Sequence, residues 1–129
     1  MSNQRNSPFM NHCGINIVSV EGGQAVLTMV LTDELKNSGS MIHGGAIATL
    51  ADSAAGAASW SVVSEDKMAV TTDFNLSCLK SLFEGMMTAE ATMVHVGKRF
   101  MRAEVSITAD EDLLARAGVS FMVIDRPAS

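Results

Sequence analysis

The stretch Gly44 to about Val62, GGAIATLADSAAGAASWSV, decides the fold. It is built from alanine, leucine, isoleucine, serine and threonine and lacks the strict alternation of a strand, so it predicts one long helix. Because a helix that is apolar on almost all sides is normally enclosed, and small side chains allow close approach, we expect a sheet to wrap it. The small apolar residues that nearly surround it are Ala46, Ala48, Ala51, Ala54, Ala55, Ala57 and Ala58.

Segments typical of strands lie on both sides of this helix. A short helix with Ser7 as its cap and Pro8 in its first turn comes first, over residues 7–13. Two strands joined by a glycine turn then form a hairpin, and four strands joined by short turns follow the long helix. The predicted order is β-β-α-β-β-β-β, an α+β fold in a single domain over residues 1–129. The expected strands are Ile15–Val20, Ala25–Leu31, Met68–Asn75, Met86–Val96, Arg99–Ala109 and Leu113–Ile124.

The composition narrows the class of protein. The length of 129 residues is typical of one domain. A content of 47% apolar and 18% charged residues is typical of a globular chain, and it is consistent with apolar surface that is buried in an oligomer. The net charge of −5 argues against a nucleic-acid partner. The nearest basic cluster, Lys98, Arg99 and Arg102, suits the phosphates of one small molecule at most.

The cysteines and the N-terminus give two further expectations. Cys13 and Cys78 lie far apart, without zinc-ligand spacing, so we expect reduced thiols and no metal. Residues 1–8 are polar, with no apolar signal region, and no uninterrupted apolar run has the length of a membrane span. We therefore expect a cytoplasmic protein without a membrane partner.

Asp52 is the residue that needs an explanation. It is the only charged residue between Lys36 and Glu65, and it lies in the middle of the predicted helix. A buried carboxylate without partners is costly, so this one should be paired, hydrogen-bonded or functional. An acid on a solvent-facing stripe is the alternative without function.

The start of the helix is the second signal. In the segment MIHGG, residues 41–45, two glycines leave backbone N–H groups unobstructed at a helix N-terminus, where negative charge is stabilised. Such a place could hold an oxyanion, although a simple glycine-assisted helix start would have the same sequence. No metal-ligand spacing surrounds His43, so we expect it to orient its neighbours.

One chain cannot bring these two signals together. Asp52 follows Gly44 by eight residues, roughly 12 Å along a helix axis, and points to about the opposite face. A base and an oxyanion donor must both approach one carbonyl within about 3 Å. Two copies of the helix in antiparallel register would allow this, so the site is predicted at a two-fold dimer interface.

The residues 37–52, NSGSMIHGGAIATLAD, resemble the signature of the PaaI-like acyl-CoA thioesterases, the hot-dog group that includes thioesterase superfamily member 2-like enzymes. The following strand VTTDFNL, residues 70–76, is also similar to that family. The resemblance implies a curved antiparallel sheet around one central helix, and hydrolysis of acyl-CoA to free acid and CoA. It also implies pairing of two units into a continuous sheet, and a homotetramer built as a dimer of dimers.

The resemblance also implies roles for individual residues. Asp52 matches the catalytic carboxylate, as general base or nucleophile, and the Gly44 N–H matches the group that polarises the carbonyl. Asn37 and His43 match residues that hold that carbonyl or shape its loop, and Thr71 stands where some members have a serine. No metal and no cofactor is implied, since CoA is part of the substrate. Further substrate contacts are expected from Gly45, Met41, Met68, Phe74, Lys98 and Arg99, the last two near CoA phosphates unless they are merely solvated turn charges.

Two other functions share the same fold. A hot-dog hydratase or dehydratase pairs a His and an acid within reach of each other, whereas His43 and Asp52 are far apart in sequence. A non-catalytic acyl-CoA-binding module would bind ligand without releasing thiol. Neither the acyl group nor the way in which two dimers stack follows from the sequence.

Overall fold

The computed structural model describes residues 6–127, and residues 1–5 and 128–129 of the expected domain lie outside that range. The predicted order of elements is confirmed, including the short first helix, although α2 ends two residues earlier than expected and β3 continues to Cys78. The elements are α1 (Pro8–Cys13), β1 (Ile15–Glu21), β2 (Gln24–Val30), a 3₁₀ turn (Asp33–Leu35), α2 (Gly44–Trp60), β3 (Lys67–Cys78), β4 (Met86–Val96), β5 (Phe100–Ala109) and β6 (Asp112–Asp125).

The six strands form one antiparallel sheet in the order β1-β2-β4-β5-β6-β3. The chain leaves β2 near one side of the sheet, passes through α2 and returns as β3 at the opposite edge. Strand β3 therefore pairs with β6 on one side and, within residues 6–127, has no strand on the other. This edge is twelve residues long.

The core lies between α2 and the concave face of the sheet. Small strand residues such as Ala89 and Ala103 are fully buried, which lets the helix approach closely. Larger side chains such as Leu27, Met87 and Phe121 fill the remaining space. The helix buries one face against them, made of Ala46, Ile47, Leu50, Ala51, Ala54, Ala55, Ala58 and Ser59.

The expectation that α2 is enclosed on nearly all sides is wrong for the single chain. The helix side that carries Asp52 and Trp60 is open to solvent, and Ala48 and Ala57 are only half-buried. One sheet contacts a helix from one direction, so it leaves the opposite stripe uncovered. Small residues on that stripe are compatible with solvent, with a ligand or with another chain.

The edge strand β3 is fastened to the sheet by a polar network on the convex face. The Arg102 guanidinium on β5 donates to the hydroxyl of Ser120 on β6 at 2.9 Å and lies 3.7 Å from the Asp73 carboxylate on β3. It crosses β6 at Gly118, where a Cβ would lie 2.1 Å from the guanidinium. Glycine at this position therefore makes room for a cation that links three strands.

Within residues 6–127, no helix is both long and apolar enough to cross a membrane.

Candidate active site

The two glycines at the start of α2 differ in their surroundings. The side chain of His43 caps the helix, with Nδ1 accepting the Gly45 N–H at 2.8 Å. A Cβ on Gly45 would lie 3.1 Å from that ring nitrogen, so a larger residue there would crowd the imidazole that caps the helix. Among the described residues no acceptor is found for the Gly44 N–H, and a Cβ on Gly44 would meet nothing within 4 Å. The cap uses the N–H of Gly45, whereas the N–H of Gly44 has no acceptor among the described residues.

The loop before the helix is closed by Asn37. Its side-chain oxygen accepts from the backbone N–H groups of Gly39 at 2.8 Å and Met41 at 3.2 Å. The backbone N–H of Asn37 donates to the backbone carbonyl of Met41 at 2.7 Å. The His43 N–H is fixed in turn by the carbonyl of Leu35 at 2.8 Å. Asn37 therefore shapes the loop that delivers the helix start, one of the two roles expected for it.

Asp52 lies on the open side of α2, and its carboxylate is exposed rather than buried as the sequence indicated. The hydroxyl of Thr71 on β3 donates to Oδ1 of Asp52 at 2.9 Å. This bond links the middle of the helix to the edge strand and fixes one carboxylate oxygen. The second oxygen remains for water or substrate.

A groove of about 590 Å³ runs along the same open side of α2. Asp52 lies toward one end of it, and Trp60 lies at the other, at the end of the helix. The short helix α1 forms the opposite wall, with Phe9 and Met10. The helical lining residues are Thr49, Asp52, Ser53, Gly56, Ala57 and Trp60, and Ile17 and Arg126 complete the groove.

An apolar pocket beside the helix was expected, but the residues that line this groove were not predicted, although a signal for them existed. Its helical residues recur at the 3–4 spacing of a single helix face from 49 to 60, and they share that face with Asp52. The contributions of Phe9 and Arg126 could not be foreseen, because both come from distant parts of the chain.

The basic residues predicted to meet CoA phosphates lie elsewhere. Lys98 and Arg99 line a separate cavity at the end of the sheet, together with Lys67 and Asp125. Hydrogen bonding to Asp125 raises the pKa of Lys67, and that ion pair balances its charge. Within one chain, neither Lys98 nor Arg99 lines the groove beside Asp52.

Three predicted pocket residues are also not among those that line the groove. Met41 is half-buried in the loop before α2. Met68 lies on β3 opposite Ile124, and Phe74 lies opposite Val119 and packs on the core. A substrate in the groove of the same chain would not be lined by these three side chains.

The sequence matches the model of the thioesterase superfamily over residues 39–116. A 1,4-dihydroxy-2-naphthoyl-CoA hydrolase of Listeria monocytogenes is 33% identical over 101 residues, which cover 78% of this chain and 82% of the relative. The acyl-coenzyme A thioesterase PaaI of Escherichia coli is 34% identical over 87 residues, or 67% of this chain and 60% of that protein.

Solved structures show the same architecture. A conserved protein of Pseudomonas aeruginosa superimposes with a TM-score of 0.91 at 26% identity and covers 94% of this chain and 97% of its own. A thioesterase of Haemophilus influenzae gives a TM-score of 0.86 at 24% identity, with coverages of 91% and 82%. The second likeness concerns the fold alone.

Proposed function

The chain belongs to the PaaI-like hot-dog group of the thioesterase superfamily, which makes it a thioester hydrolase, and we propose that it hydrolyses acyl-CoA with Asp52 as the catalytic carboxylate. The observation that carries the proposal is the hydrogen bond between Thr71 and Asp52. It orients an acid that is reached by water and lies beside a groove large enough for a ligand.

In this proposal the Gly44 N–H binds the thioester oxygen. Among the described residues this N–H has no acceptor and so is available to a carbonyl group, and a Cβ at Gly44 would meet nothing within 4 Å. The orphan N–H groups and the dipole of the helix start stabilise the negative charge that develops on that oxygen. Asn37 and His43 act indirectly, since both hold the backbone that presents this donor.

Asp52 either activates water as a general base or attacks the carbonyl itself. In the first case water adds to the carbonyl carbon and Asp52 takes its proton. The carbon–sulfur bond then breaks, the proton passes to the leaving CoA thiolate, and the free acid remains. In the second case an oxygen of Asp52 bonds to the carbonyl carbon, the carbon–sulfur bond breaks and the CoA thiolate leaves, which gives a mixed anhydride. Water then hydrolyses the anhydride to the free acid and the Asp52 carboxylate, and the proton released passes to the CoA thiolate. The proposed reaction uses no metal and no cofactor apart from the CoA of the substrate.

We place the complete site between two copies of the chain. Strand β3 is a twelve-residue edge, and such an edge normally pairs or is covered. Antiparallel pairing of two β3 strands around a two-fold axis would extend the sheet and align two α2 helices in opposite directions. The Gly44 donor of one chain would then approach the Asp52 of the other. In the same assembly Lys98 and Arg99 supply positive charge for CoA phosphates. Because they do not line the groove of their own chain, the CoA that they contact would be bound in the groove of the partner chain.

The direct experiment is a thiol-release assay with a panel of acyl-CoA thioesters. Asp52→Asn should lower kcat by about 10²-fold or more, because the amide can neither take a proton from water nor attack the carbonyl. Asp110→Asn makes the same chemical change at an exposed turn, in a left-handed conformation that asparagine tolerates, and should behave as wild type.

Near-normal thiol release by a folded Asp52→Asn protein would contradict the role of Asp52. Tight acyl-CoA binding by wild type without any thiol release would identify a binding module instead. Hydration of an enoyl-CoA without thiol release would identify the hydratase alternative.

A further inference from the structure

Strand β3 contains a β-bulge beside the candidate catalytic acid. Thr71 lies opposite Phe121 of β6. The next paired residue, Asp73, lies opposite Ser120, so Thr72 is an extra residue with no partner on β6. In a regular strand, residues two positions apart face the same side of the sheet. Because of the extra residue, Thr71 and Asp73 face opposite sides.

The two sides of the sheet offer different partners to these side chains. Toward the helix, the hydroxyl of Thr71 donates to Oδ1 of Asp52 at 2.9 Å. On the convex face, the Asp73 carboxylate lies 3.7 Å from the Arg102 guanidinium. A strand without the bulge that directed Thr71 to the helix would turn Asp73 inward as well, away from Arg102. The bulge therefore allows the hydrogen bond to Asp52 and the ion pair on the convex face to exist together.

Arg102 holds this bulge from a neighbouring part of the sheet. The Thr72 hydroxyl donates to the carbonyl of Ser120 at 3.4 Å, which is a long and therefore weak hydrogen bond. The Arg102 guanidinium donates to the Ser120 hydroxyl at 2.9 Å and also reaches Asp73. It thus contacts both strands at the bulge, and its own strand β5 is paired on both sides. The arginine fastens an irregular stretch of β3 to the regular part of the sheet.

We infer that Arg102 is a positioning residue for the proposed hydrolysis, because it keeps the bulge in the form that directs the Thr71 hydroxyl to Asp52. The guanidinium lies on the convex face and Asp52 on the helix side, so Arg102 must act through β3 and not on the substrate. If the bulge moves one residue toward the start of β3, Thr72 takes the place opposite Phe121 and Thr71 becomes the extra residue. The inference rests on the proposed function, in which Asp52 is catalytic.

The expected effect is on turnover rather than on substrate binding. The hydrogen bond from Thr71 fixes one oxygen of Asp52 and so gives the second oxygen a defined direction. A carboxylate that rotates freely is correctly placed for water or for the thioester less often, and small misplacements of a reacting group lower the rate steeply. Release of the bulge should therefore lower kcat, whereas KM depends on other contacts of the substrate and should change little.

The test replaces Arg102 by methionine, with Arg116→Met as the matched control. Both changes remove one arginine from the convex face, but Arg116 lies opposite Ser77, away from the bulge, and pairs with Glu104 of β5 at 3.8 Å. Thiol release is measured with whichever of acetyl-CoA, hexanoyl-CoA and benzoyl-CoA wild type hydrolyses fastest. Arg102→Met should lower kcat at least about tenfold with KM within about twofold, and Arg116→Met should leave both within about twofold. A wild-type kcat in folded Arg102→Met would overturn the inference.

Thr71→Val separates positioning from a general effect on the fold, because it removes the hydroxyl and keeps the branched shape. It should reproduce the fall in kcat of Arg102→Met, and adding Arg102→Met to it should lower kcat by less than about twofold further. An unchanged kcat in Thr71→Val, or an equal effect of Arg102→Met in both backgrounds, would show that Arg102 does not act through Thr71. If Arg102→Met does not fold, Gly118→Ala displaces the guanidinium while keeping the arginine and is compared in the same way.

These outcomes are distinct from a failure of the proposed function. If Arg102→Met keeps its kcat while Asp52→Asn loses turnover, the role of Arg102 is wrong and that of Asp52 stands. If wild type releases no thiol from any acyl-CoA, or folded Asp52→Asn keeps wild-type turnover, the proposed function fails and the inference fails with it.

Discussion

Gly44 and Gly45 are neighbours in the sequence, but their backbone N–H groups have different surroundings. Gly45 lies against the imidazole of His43, which accepts its N–H and thereby caps the helix. Because Nδ1 is the acceptor, the proton of the neutral ring is on Nε2. Gly44 has neither a side-chain neighbour nor an acceptor among the described residues. The Gly44–Gly45 pair therefore contains one N–H group that is used to cap the helix and one that has no acceptor among the described residues.

This difference can be tested by removing a single hydrogen-bond donor. Proline is favoured in the first turn of a helix, and the extended backbone of His43 suits a residue before proline. Gly44→Pro should therefore fold and lose only the N–H, while Gly44→Ala keeps it. We expect kcat of the proline variant to be about 10²-fold below that of the alanine variant, the usual effect of losing one oxyanion donor.

Circular dichroism and thermal melting would verify that both Gly44 variants fold. Equal kcat values in the two folded proteins would show that the Gly44 N–H does not bind the thioester oxygen.

The sequence located Asp52 but gave the wrong environment for it. A lone acid in an apolar helix stands out in any sequence, which is why it could be found. Its exposure depends on which side of α2 the sheet covers, and that follows from the packing of strands that are distant in sequence. Thr71 was matched from the resemblance, and the structure adds its hydrogen bond to Asp52.

At the level of elements, local patterns predicted most of the fold. Each strand and helix has its own periodicity and its own turn residues, and these are properties of short segments. The pairing of β3 with β6 is not local, because α2 carries the chain across the sheet. Residue patterns therefore predicted the elements and a sheet around one helix, but they did not give the order of the strands within that sheet.

The link between β3 and the rest of the sheet gives an element-scale prediction. Gly118→Ala places a methyl group where the Arg102 guanidinium now lies, so the cation must leave Ser120 and Asp73. We expect the free energy of unfolding to fall by about 1–2 kcal/mol, from urea denaturation. In an Arg102→Ala background, Gly118→Ala should lower the free energy of unfolding much less, because the guanidinium that the new methyl group would displace is already absent. An equal loss of stability in both backgrounds would show that displacement of Arg102 is not the reason for it.

For the whole molecule, the decisive feature is that the two groups proposed for catalysis, the Gly44 N–H and the Asp52 carboxylate, are separated in each chain. Gly44 begins α2, whereas Asp52 lies about 12 Å further along the axis and bonds to the edge strand β3. A hydrolase assembled from such chains would have two identical sites per dimer, each using one residue from either chain. This arrangement makes a prediction that no single-chain site would make.

Asp52→Asn and Gly44→Pro should each be nearly inactive alone, yet their heterodimer should regain activity. In that heterodimer one site combines the intact Asp52 of the proline chain with the intact Gly44 of the asparagine chain, and the other site carries both defects. Random mixing of equal amounts gives half heterodimers, each with one working site of two, so thiol release should recover to about a quarter of wild type. Chains carrying different affinity tags would allow the heterodimer to be isolated, where recovery should approach about half. If purified heterodimers remained as inactive as the parents, Asp52 and Gly44 would have to act within one chain, and the two-fold arrangement proposed for the site would be wrong.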